Sequence, residues 1–462
     1  MFSPETYKKR RDELRKMMSG GIVLFPGNTE VPYNYPANTY HYRQDSTFMY
    51  YFGLQTPGLA AIMDIDDGSD CLFGDDSTMD DIIWMGQQPS MVDRASAVMV
   101  DKTQPSDALT EVLLKAQQNG RTIHFLPPYR AETKILFWEL LGIPAAQQKE
   151  KASVPLIKAV VKMRMLKEPQ EIEQIEAAID ITYKMHTYIM RHAHAGMVER
   201  ELSGAIEGIA LSGGGTVSFP VILSVNGQIL HNHYHGNTMC DGQLLITDAG
   251  AETAMGYAGD ITRTVPVSGR FDTRQKAIYN TVLRANMKAI EMSSPGVLYK
   301  DVHLAAARVI VEGLKDAGIM KGNTDDAVAQ GAHALFFPHG LGHAMGLDVH
   351  DMEGLGENYI GYDDTIERST QFGLASLRFG RKLEPGFVLT DEPGVYFIPA
   401  LIDQWEAEKK FTDFINYEVL KMYCNFGGIR IEDDILITEN GCRVLGQPVP
   451  KTVEEIEDMR TG

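Results

Sequence analysis

Four carboxylates interrupt segments that otherwise read as buried strands. The segments are rich in apolar and β-branched residues; they are "LLITDAG" with Asp248, "GDITRT" with Asp260, "VLTDEPG" with Glu392 and "RIEDD" with Glu432. Burying a carboxylate without a partner is costly, and several carboxylates close together also repel one another. One such residue is explained by a strand end that faces solvent. Four of them carry four negative charges, which two divalent cations would cancel, so the pattern favours a metal centre.

The spacing of the first two carboxylates supports this interpretation. Asp248 and Asp260 are twelve residues apart with three glycines between them, and a hairpin would bring them side by side. Hard oxygen donors combined with one imidazole, that of His343, suit manganese, zinc, cobalt or iron better than a thiolate site would.

The segment "FFPHGLGHAMGLDVHD" contains three histidines, His339, His343 and His350. His339 and His343 are four residues apart, which on a helix would place them on one face. Glycine costs about 1 kcal/mol in a helix interior, so Gly340 and Gly342 argue against a helix here. The adjacent glutamate of the H-E-x-x-H zinc motif is also missing. We therefore expect a glycine-lined bend.

Composition limits the class of protein. At 462 residues we expect two domains, with 44% hydrophobic and 23% charged residues as in ordinary globular proteins. The net charge of -19 argues against nucleic-acid and anionic-membrane partners. No segment approaches the roughly 18 apolar residues of a membrane span, and the charged amino terminus lacks a signal-peptide core. The four cysteines have no C-x-x-C pair. These features predict a soluble, cytoplasmic protein.

Helical and strand patterns predict an α/β (α+β) protein in two parts. The first 20 residues read as a helix and "IVLF" as a strand, and the mixed pattern continues to a boundary near residue 160. From Glu168 the apolar residues recur with a helical period. The second domain then reads helix, helix, strands, and repeats this order, a faint internal duplication. Thr452 and Glu455 form a capping-box pattern that predicts a terminal helix.

The motifs "TDAG", "GDITRT", "PHGLGH", "DEPG" and "RIEDD", in this order, resemble the ligand motifs of the pita-bread metallopeptidases. That family includes methionine aminopeptidase, aminopeptidase P and prolidase, and the resemblance covers essentially the whole chain. "YHYRQDSTFMYYFG" is similar to the amino-terminal domain that aminopeptidase P and prolidase share. The resemblance implies an amino-terminal mixed α/β domain at 1–160 and a pita-bread (creatinase/aminopeptidase-like) catalytic domain at 161–462.

The resemblance also implies a role for each ligand. Asp248 would hold one divalent metal ion, His343 and Glu392 the other, and Asp260 and Glu432 would bridge the two. Manganese is the expected metal, with zinc, cobalt and iron as alternatives. A hydroxide between the metals would attack the peptide carbonyl, and Glu392 would carry the proton to the leaving nitrogen.

Further residues are expected on the substrate side. The resemblance places His350 at the tetrahedral intermediate or the scissile nitrogen, His339 in the substrate pocket and His231 at the transition state. Arg430 lies two residues before Glu432 and is expected on the same strand face. It is a candidate substrate-side residue that would orient that carboxylate. A separate metal site of three alternating histidines at 231, 233 and 235 is an alternative reading, since on a strand they would share a face.

The substrate follows from the subfamily. "SLR" before "LEPG" and the long insertion after "VYFIP" resemble prolidase, in which an arginine at the place of Arg378 captures the free carboxylate of a dipeptide. We therefore expect an Xaa-Pro dipeptidase acting on small proline-containing peptides, as a homodimer or homotetramer. Aminopeptidase P is the main alternative. A non-catalytic peptide-binding scaffold and a metal-free hydrolase like creatinase are less favoured, because all five ligands are present.

Overall fold

The computed structural model describes residues 1–460, which divide into two compact units. One unit comprises Met1–Arg164 with Glu353–Tyr359, and the other comprises Met165–Met352 with the chain from Ile360 onward. Within the described residues, no helix is long and apolar enough to cross a membrane.

The first unit is a mixed α/β structure, as predicted. Its helices are α1 (Pro4–Met17), α2 (Ser46–Phe52), α3 (Met79–Met85), α4 (Met91–Ser96), α5 (Ala108–Gln118), α6 (Ala131–Leu141), α7 (Ala145–Lys151) and α8 (Val154–Met165). Its strands are β1 (Ile22–Pro26), β2 (Pro32–Tyr35), β3 (Asn38–Thr39), β4 (Ala60–Asp64), β5 (Asp70–Phe73), β6 (Lys102–Gln104) and β7 (Ile123–His124). A five-stranded sheet has the order β6-β5-β4-β1-β7. In it β1 pairs antiparallel with β4 and parallel with β7.

The rest of the chain begins with two helices and a small sheet, and then repeats that order. Its first half contains α9 (Pro169–His192), α10 (Glu199–Ser212), β8 (Ile222–Ser224), β9 (Leu244–Ala249) and β10 (Ile261–Pro266). The chain continues with α11 (Thr273–Met292), α12 (Tyr299–Asp316), α13 (Thr324–Gln330), α14 (Glu357–Ile360), β11 (Val388–Asp391), β12 (Gly394–Tyr396), α15 (Pro399–Ala407), α16 (Tyr417–Leu420), β13 (Gly428–Arg430), β14 (Asp433–Thr438), β15 (Gly441–Val444) and α17 (Val453–Asp458).

The long helices cover three small sheets of the second unit. The sheets have the orders β10-β9-β8, β11-β14-β15 and β12-β13. Helix α9 packs on β9 and β10, while α11 packs on α12 and on strands of the other two sheets. Every residue of β9 and β10 is buried, so these strands lie in the core.

Local sequence explains where several of these helices begin and end. Pro169 begins α9, where its missing N–H costs nothing. The predicted capping box at Thr452 is formed, because its side chain accepts a hydrogen bond from the Glu455 amide and the Glu455 side chain accepts one from the Thr452 amide. The sequence pattern of the second domain also predicts helices near 199–211, 274–292 and 300–317, and the structure confirms each to within one residue at both ends.

Candidate metal centre

The first two predicted ligands are carried by an antiparallel hairpin. Asp248 lies in β9, opposite Thr262 of β10, and Asp260 immediately precedes β10. The two strands approach so closely that a Cβ on Gly250 would collide with the carbonyl oxygen of Gly259. The hairpin predicted from their spacing is confirmed, and a glycine is required beside Asp248 for the strands to meet.

The third and fourth carboxylates lie between strands rather than within them. Glu392 separates β11 from β12, and Glu432 separates β13 from β14. Because β11 pairs with β14 and β12 pairs with β13, the two interruptions lie opposite each other. The prediction that Arg430 and Glu432 share one strand face is therefore wrong, since β13 ends at Arg430. The sequence reads as one continuous strand, but the chain changes pairing partner here.

His343 is delivered by a bend that runs beside β11. Its amide donates to the Thr390 hydroxyl at 3.1 Å, and its carbonyl accepts from the Thr390 amide at 3.0 Å. A Cβ on Gly342 would collide with the Thr390 carbonyl oxygen, so the bend needs glycine to lie this close to the strand. The expectation of a glycine-lined bend instead of a helix is confirmed.

The side chains converge on one buried region. One ligand atom from each of Asp260, His343 and Glu432 lies within 4.8 Å of the others. The His343 Nε2 is 3.5 Å from the Asp260 Oδ2 and 3.7 Å from the Glu392 Oε1. Its Nδ1 is 3.1 Å from the Ala344 carbonyl oxygen. A proton held at Nδ1 makes Nε2 the ring nitrogen with the lone pair that can bind a metal ion.

The pKa values show how unfavourable this cluster is without cations. Burial, with repulsion from Asp248, raises the pKa of Asp260 well above its usual range. Burial and the Asp260 charge do the same to the pKa of Glu432. Burial raises the pKa of Glu392 to about 8, although Arg430 opposes the shift. The cluster therefore repels further negative charge and attracts protons or metal ions.

The donor set fits divalent cations. The Oδ1 atoms of Asp248 and Asp260 are buried, and neither has a hydrogen-bond partner among the described residues. Carboxylate oxygens without a hydrogen-bond partner, beside an imidazole nitrogen, are the hard and borderline donors that such ions prefer. The alternative site at His231, His233 and His235 does not form: the three lie in a loop, and within residues 1–460 they are not a metal-ligating group.

Arg430 supports the centre through a different carboxylate from the one expected. Its guanidinium donates to the Asp248 Oδ2 at 2.6 Å, to the Tyr396 hydroxyl at 2.8 Å and to the Thr262 hydroxyl at 3.0 Å. The Thr262 hydroxyl in turn donates to the Glu432 Oε2 at 2.5 Å. Arg430 thus orients Asp248 directly and Glu432 through Thr262. Sequence reasoning missed Tyr396 and Thr262, whose partners are distant in the chain.

The predicted substrate-side histidines lie around the same centre. The His350 ring is 3.9 Å from the His343 ring, measured between centroids. The His339 Nε2 is 2.8 Å from the Tyr396 hydroxyl, and its Nδ1 is 3.7 Å from the Glu392 Oε2. Burial, with the Arg430 charge, lowers the pKa of His339 to about 3. At neutral pH His339 is an uncharged imidazole.

His231 and Arg378 are linked to the metal centre through their effects on pKa values. Burial lowers the pKa of His231, and the nearby positive charges of Arg430 and Arg378 lower it further. Arg378 also contributes to the lowered pKa of His339 and opposes the raised pKa of Glu392. Arg378 is half-buried, and its charge is close enough to shift the pKa values of His231, His339 and Glu392.

Buried carboxylates gathered with an imidazole inside an α/β unit define a metal-dependent hydrolase. Comparison with known proteins agrees. Residues 173–439 match the model of metallopeptidase family M24, and residues 7–124 match the aminopeptidase P, N-terminal domain. The chain belongs to metallopeptidase family M24, with the amino-terminal domain of aminopeptidase P before a pita-bread catalytic domain. The predicted fold class is confirmed, the protein is an enzyme, and the family implies divalent metal ions.

Similar proteins come from both branches considered above. The chain is 33% identical to human Xaa-Pro dipeptidase over 98% of this chain and 91% of that protein. It is also 33% identical to Xaa-Pro aminopeptidase of Escherichia coli K12, over 99% of this chain and 98% of that protein. A solved structure of zinc-substituted E. coli aminopeptidase P in complex with product covers 100% of this chain and 98% of its own. Its TM-score is 0.82 at 31% identity.

Proposed function

We propose that this metallopeptidase hydrolyses the bond before proline in dipeptides, as an Xaa-Pro dipeptidase. The relatives named for Xaa-Pro cleavage support the bond that is cut. The observation that carries the choice of dipeptides is the position of Arg378, whose charge acts on His231, His339 and Glu392. A guanidinium pairs well with a carboxylate. When proline is the second residue, its own carboxylate is free only in a dipeptide, so Arg378 would measure substrate length.

We assign the ligands as the geometry and the family resemblance suggest. Asp248 would hold one cation, His343 and Glu392 would hold the second, and Asp260 and Glu432 would be ligands to both, with manganese as the proposed metal. When bound, the ions polarise the scissile carbonyl and lower the pKa of water so that it attacks near neutral pH. The buried Oδ1 atoms of Asp248 and Asp260, which have no hydrogen-bond partner among the described residues, and the convergence of Asp260, His343 and Glu432 support this assignment.

The chain's own residues then hold and move protons. Glu392, with its pKa raised to about 8 by burial, can accept a proton and release it to the leaving nitrogen. The leaving nitrogen of any peptide bond must gain a proton as the bond breaks, and proline's nitrogen carries no hydrogen of its own. His350, whose ring lies 3.9 Å from the His343 ring between centroids, is our candidate for contacting that nitrogen or the tetrahedral oxygen. Neutral His339 lines the pocket, and His231 stabilises the transition state.

The test compares Ala-Pro with Ala-Pro-Ala for the wild-type enzyme and for Arg378→Ala. We expect faster hydrolysis of Ala-Pro, and a loss of about 10²-fold in kcat/KM for Ala-Pro in the variant, as for a lost charged hydrogen bond. Hydrolysis of Ala-Pro-Ala should change far less. Arg270→Ala, which removes an exposed arginine, is the matched control.

Faster cleavage of Ala-Pro-Ala, unaffected by Arg378→Ala, would instead support the aminopeptidase alternative, which the E. coli relative favours. No hydrolysis of either peptide with metals bound would support the non-catalytic scaffold. The domain ranges 1–160 and 161–462 are part of the proposal; the separate family matches at 7–124 and 173–439 support them. The cytoplasmic location and the homodimeric or homotetrameric state stay predictions.

A further inference from the structure

The segment that carries His231 is a long connection between β8 and β9. From Val225 to Asn237 it contains no helix or strand, and Gly227 is the only one of these residues that is buried. A side chain on such a segment samples many positions, yet a group that stabilises a transition state must be held within a fraction of an ångström. Something must therefore fix the segment in place.

A single buried carboxylate fastens both ends of this segment. Glu199, the first residue of α10, has 0% of its surface exposed. Its Oε1 accepts hydrogen bonds from the Val225 amide at 2.8 Å and the Ser224 hydroxyl at 3.1 Å. Its Oε2 accepts from the Asn237 amide at 3.2 Å and the Asn237 side-chain amide at 2.9 Å. The carboxylate thus closes the segment into a loop.

The same contacts extend to the residue beside His231. The Ser224 hydroxyl, which donates to Glu199, accepts from the Asn232 side-chain amide at 3.0 Å and from the Asn226 amide at 3.0 Å. Asn232 follows His231 directly in the chain. A path of two hydrogen bonds therefore links the Glu199 carboxylate to the backbone next to His231.

The returning end of the loop is also tied to the start of α10. The Glu199 amide donates to the Asn237 carbonyl at 3.1 Å, and the Arg200 amide donates to the His235 carbonyl at 3.0 Å. The amides at a helix start have no partner within the helix, so the loop satisfies them. The helix and the loop hold each other.

A fully buried carboxylate that accepts from four neutral donors adds little net stability to the fold, so stability alone does not explain it. Burying an ionised carboxylate is costly, and charge-assisted hydrogen bonds only offset that cost. A glutamine of the same shape would avoid the charge but would turn one acceptor into a donor, which would face the Val225 or Asn237 amide. Only a carboxylate can accept from every donor present.

We propose that Glu199 is a positioning residue that sets the place of His231 through Ser224 and Asn232. The proposal rests on the role of His231 in the proposed function. Glu199 touches neither substrate nor metal in this account, and it acts by holding the loop.

The test is Glu199→Gln, alone and combined with His231→Ala. We expect Glu199→Gln to lower kcat for Ala-Pro by about 10-fold to 10²-fold, as for a small misplacement of a reacting group, with KM and bound metal little changed. In the His231→Ala background the same change should have no further effect, because residues that act through one another are not additive. Glu207→Gln, on the exposed face of the same helix, is the control and should match the wild type.

An unchanged kcat in Glu199→Gln, or an equal loss with and without His231, would overturn the proposal. If Glu199→Gln does not fold, Asn232→Ala removes the last link of the path. It should lower kcat less and show the same non-additivity with His231→Ala, and additive effects would count against the proposal.

Amide hydrogen exchange separates this inference from the proposed function. Glu199→Gln should speed the exchange of the Val225 and Asn237 amides and leave the amides of β9 protected. Faster exchange would support the closure of the loop by Glu199 even if the wild-type enzyme hydrolysed no Xaa-Pro peptide. Unchanged exchange at both amides would refute that closure.

Discussion

Glu432 and Asp433 are neighbours in the chain, both are buried, and their environments are opposite. Asp433 accepts from the Arg263 guanidinium at 2.7 Å and from the Lys451 ammonium at 2.6 Å. Burial alone would raise its pKa, but these two cations hold the pKa well below the usual range. At Glu432 burial and the Asp260 charge raise the pKa instead.

The contrast shows how the chain treats two kinds of buried acid. Around Asp433 the protein supplies its own cations, and Arg263 also donates to the Glu432 carbonyl at 2.6 Å, so this pair anchors the strand. In the metal centre Arg430 compensates Asp248, but the remaining carboxylates face one another and His343. A buried acid without a protein cation is stable only with a proton or an external cation. The comparison predicts that an aspartate-to-asparagine substitution changes the stability of the metal-free protein in opposite directions at Asp260 and at Asp433.

The largest effect is expected from Asp260→Asn. A metal ion contributes several kcal/mol to transition-state stabilisation, so losing a bridging ligand should lower kcat/KM on the order of 10³-fold. The metal-free variant should unfold at the same temperature as the metal-free wild type or higher, because a repelled buried charge is gone. Thermal unfolding with chelator checks this, with exposed Asp316→Asn as the control. Full activity of Asp260→Asn would contradict the assignment of Asp260 as a ligand to both metal ions.

Asp433→Asn should behave in the opposite way. It leaves Arg263 and Lys451 without their buried counter-charge, and breaking such a pair costs about 3–5 kcal/mol. Urea unfolding of the metal-free protein measures the loss. If both asparagine variants destabilised the metal-free protein equally, the contrast between the two acids would not hold.

The stability of the metal-free protein should depend on pH because of the buried acids in the metal centre. The pKa of Glu392 is raised to about 8 in the folded state from an ordinary 4.5, so the folded state binds the extra proton between these values. Its contribution to stability is present below about pH 4.5 and is lost as the pH rises through about 8, a change of a few kcal/mol. Glu392→Gln should flatten this slope, and saturating divalent cation should remove it. A slope unchanged in Glu392→Gln would contradict the assignment.

Buried histidines give a smaller effect of the opposite sign. His303 and His333 are fully buried with ring centroids 6.3 Å apart, and none of their nitrogens has a hydrogen-bond partner among the described residues. Burial lowers the pKa of His333 from 6.5 to about 4, so the unfolded state binds the proton first. Stability should fall by roughly 2 kcal/mol as the pH falls from 6.5 to 5, and the loss should be smaller in His333→Phe. Equal acid sensitivity of the two proteins would exclude His333 as the cause.

The gathering of buried carboxylates could be predicted because each one contradicts the apolar segment around it. Helix starts such as Pro169 and Thr452 could be predicted as well, because capping is local. The strand interruptions at Glu392 and Glu432 could not, since they depend on a change of pairing partner. The same holds for the contact of Arg430 with Asp248, 182 residues apart, and for the Glu199 loop closure, since both depend on tertiary packing. Roles for His231, His339 and His350 came from family resemblance.

A titration of chelator-stripped wild-type protein with Mn²⁺ near pH 7, followed by calorimetry in buffers of different ionisation enthalpy, tests the metal centre most directly. If buried acids with raised pKa values form the site, two ions should bind per chain and displace protons as they bind. Binding of less than one ion per chain, or binding with no proton release, would contradict the account.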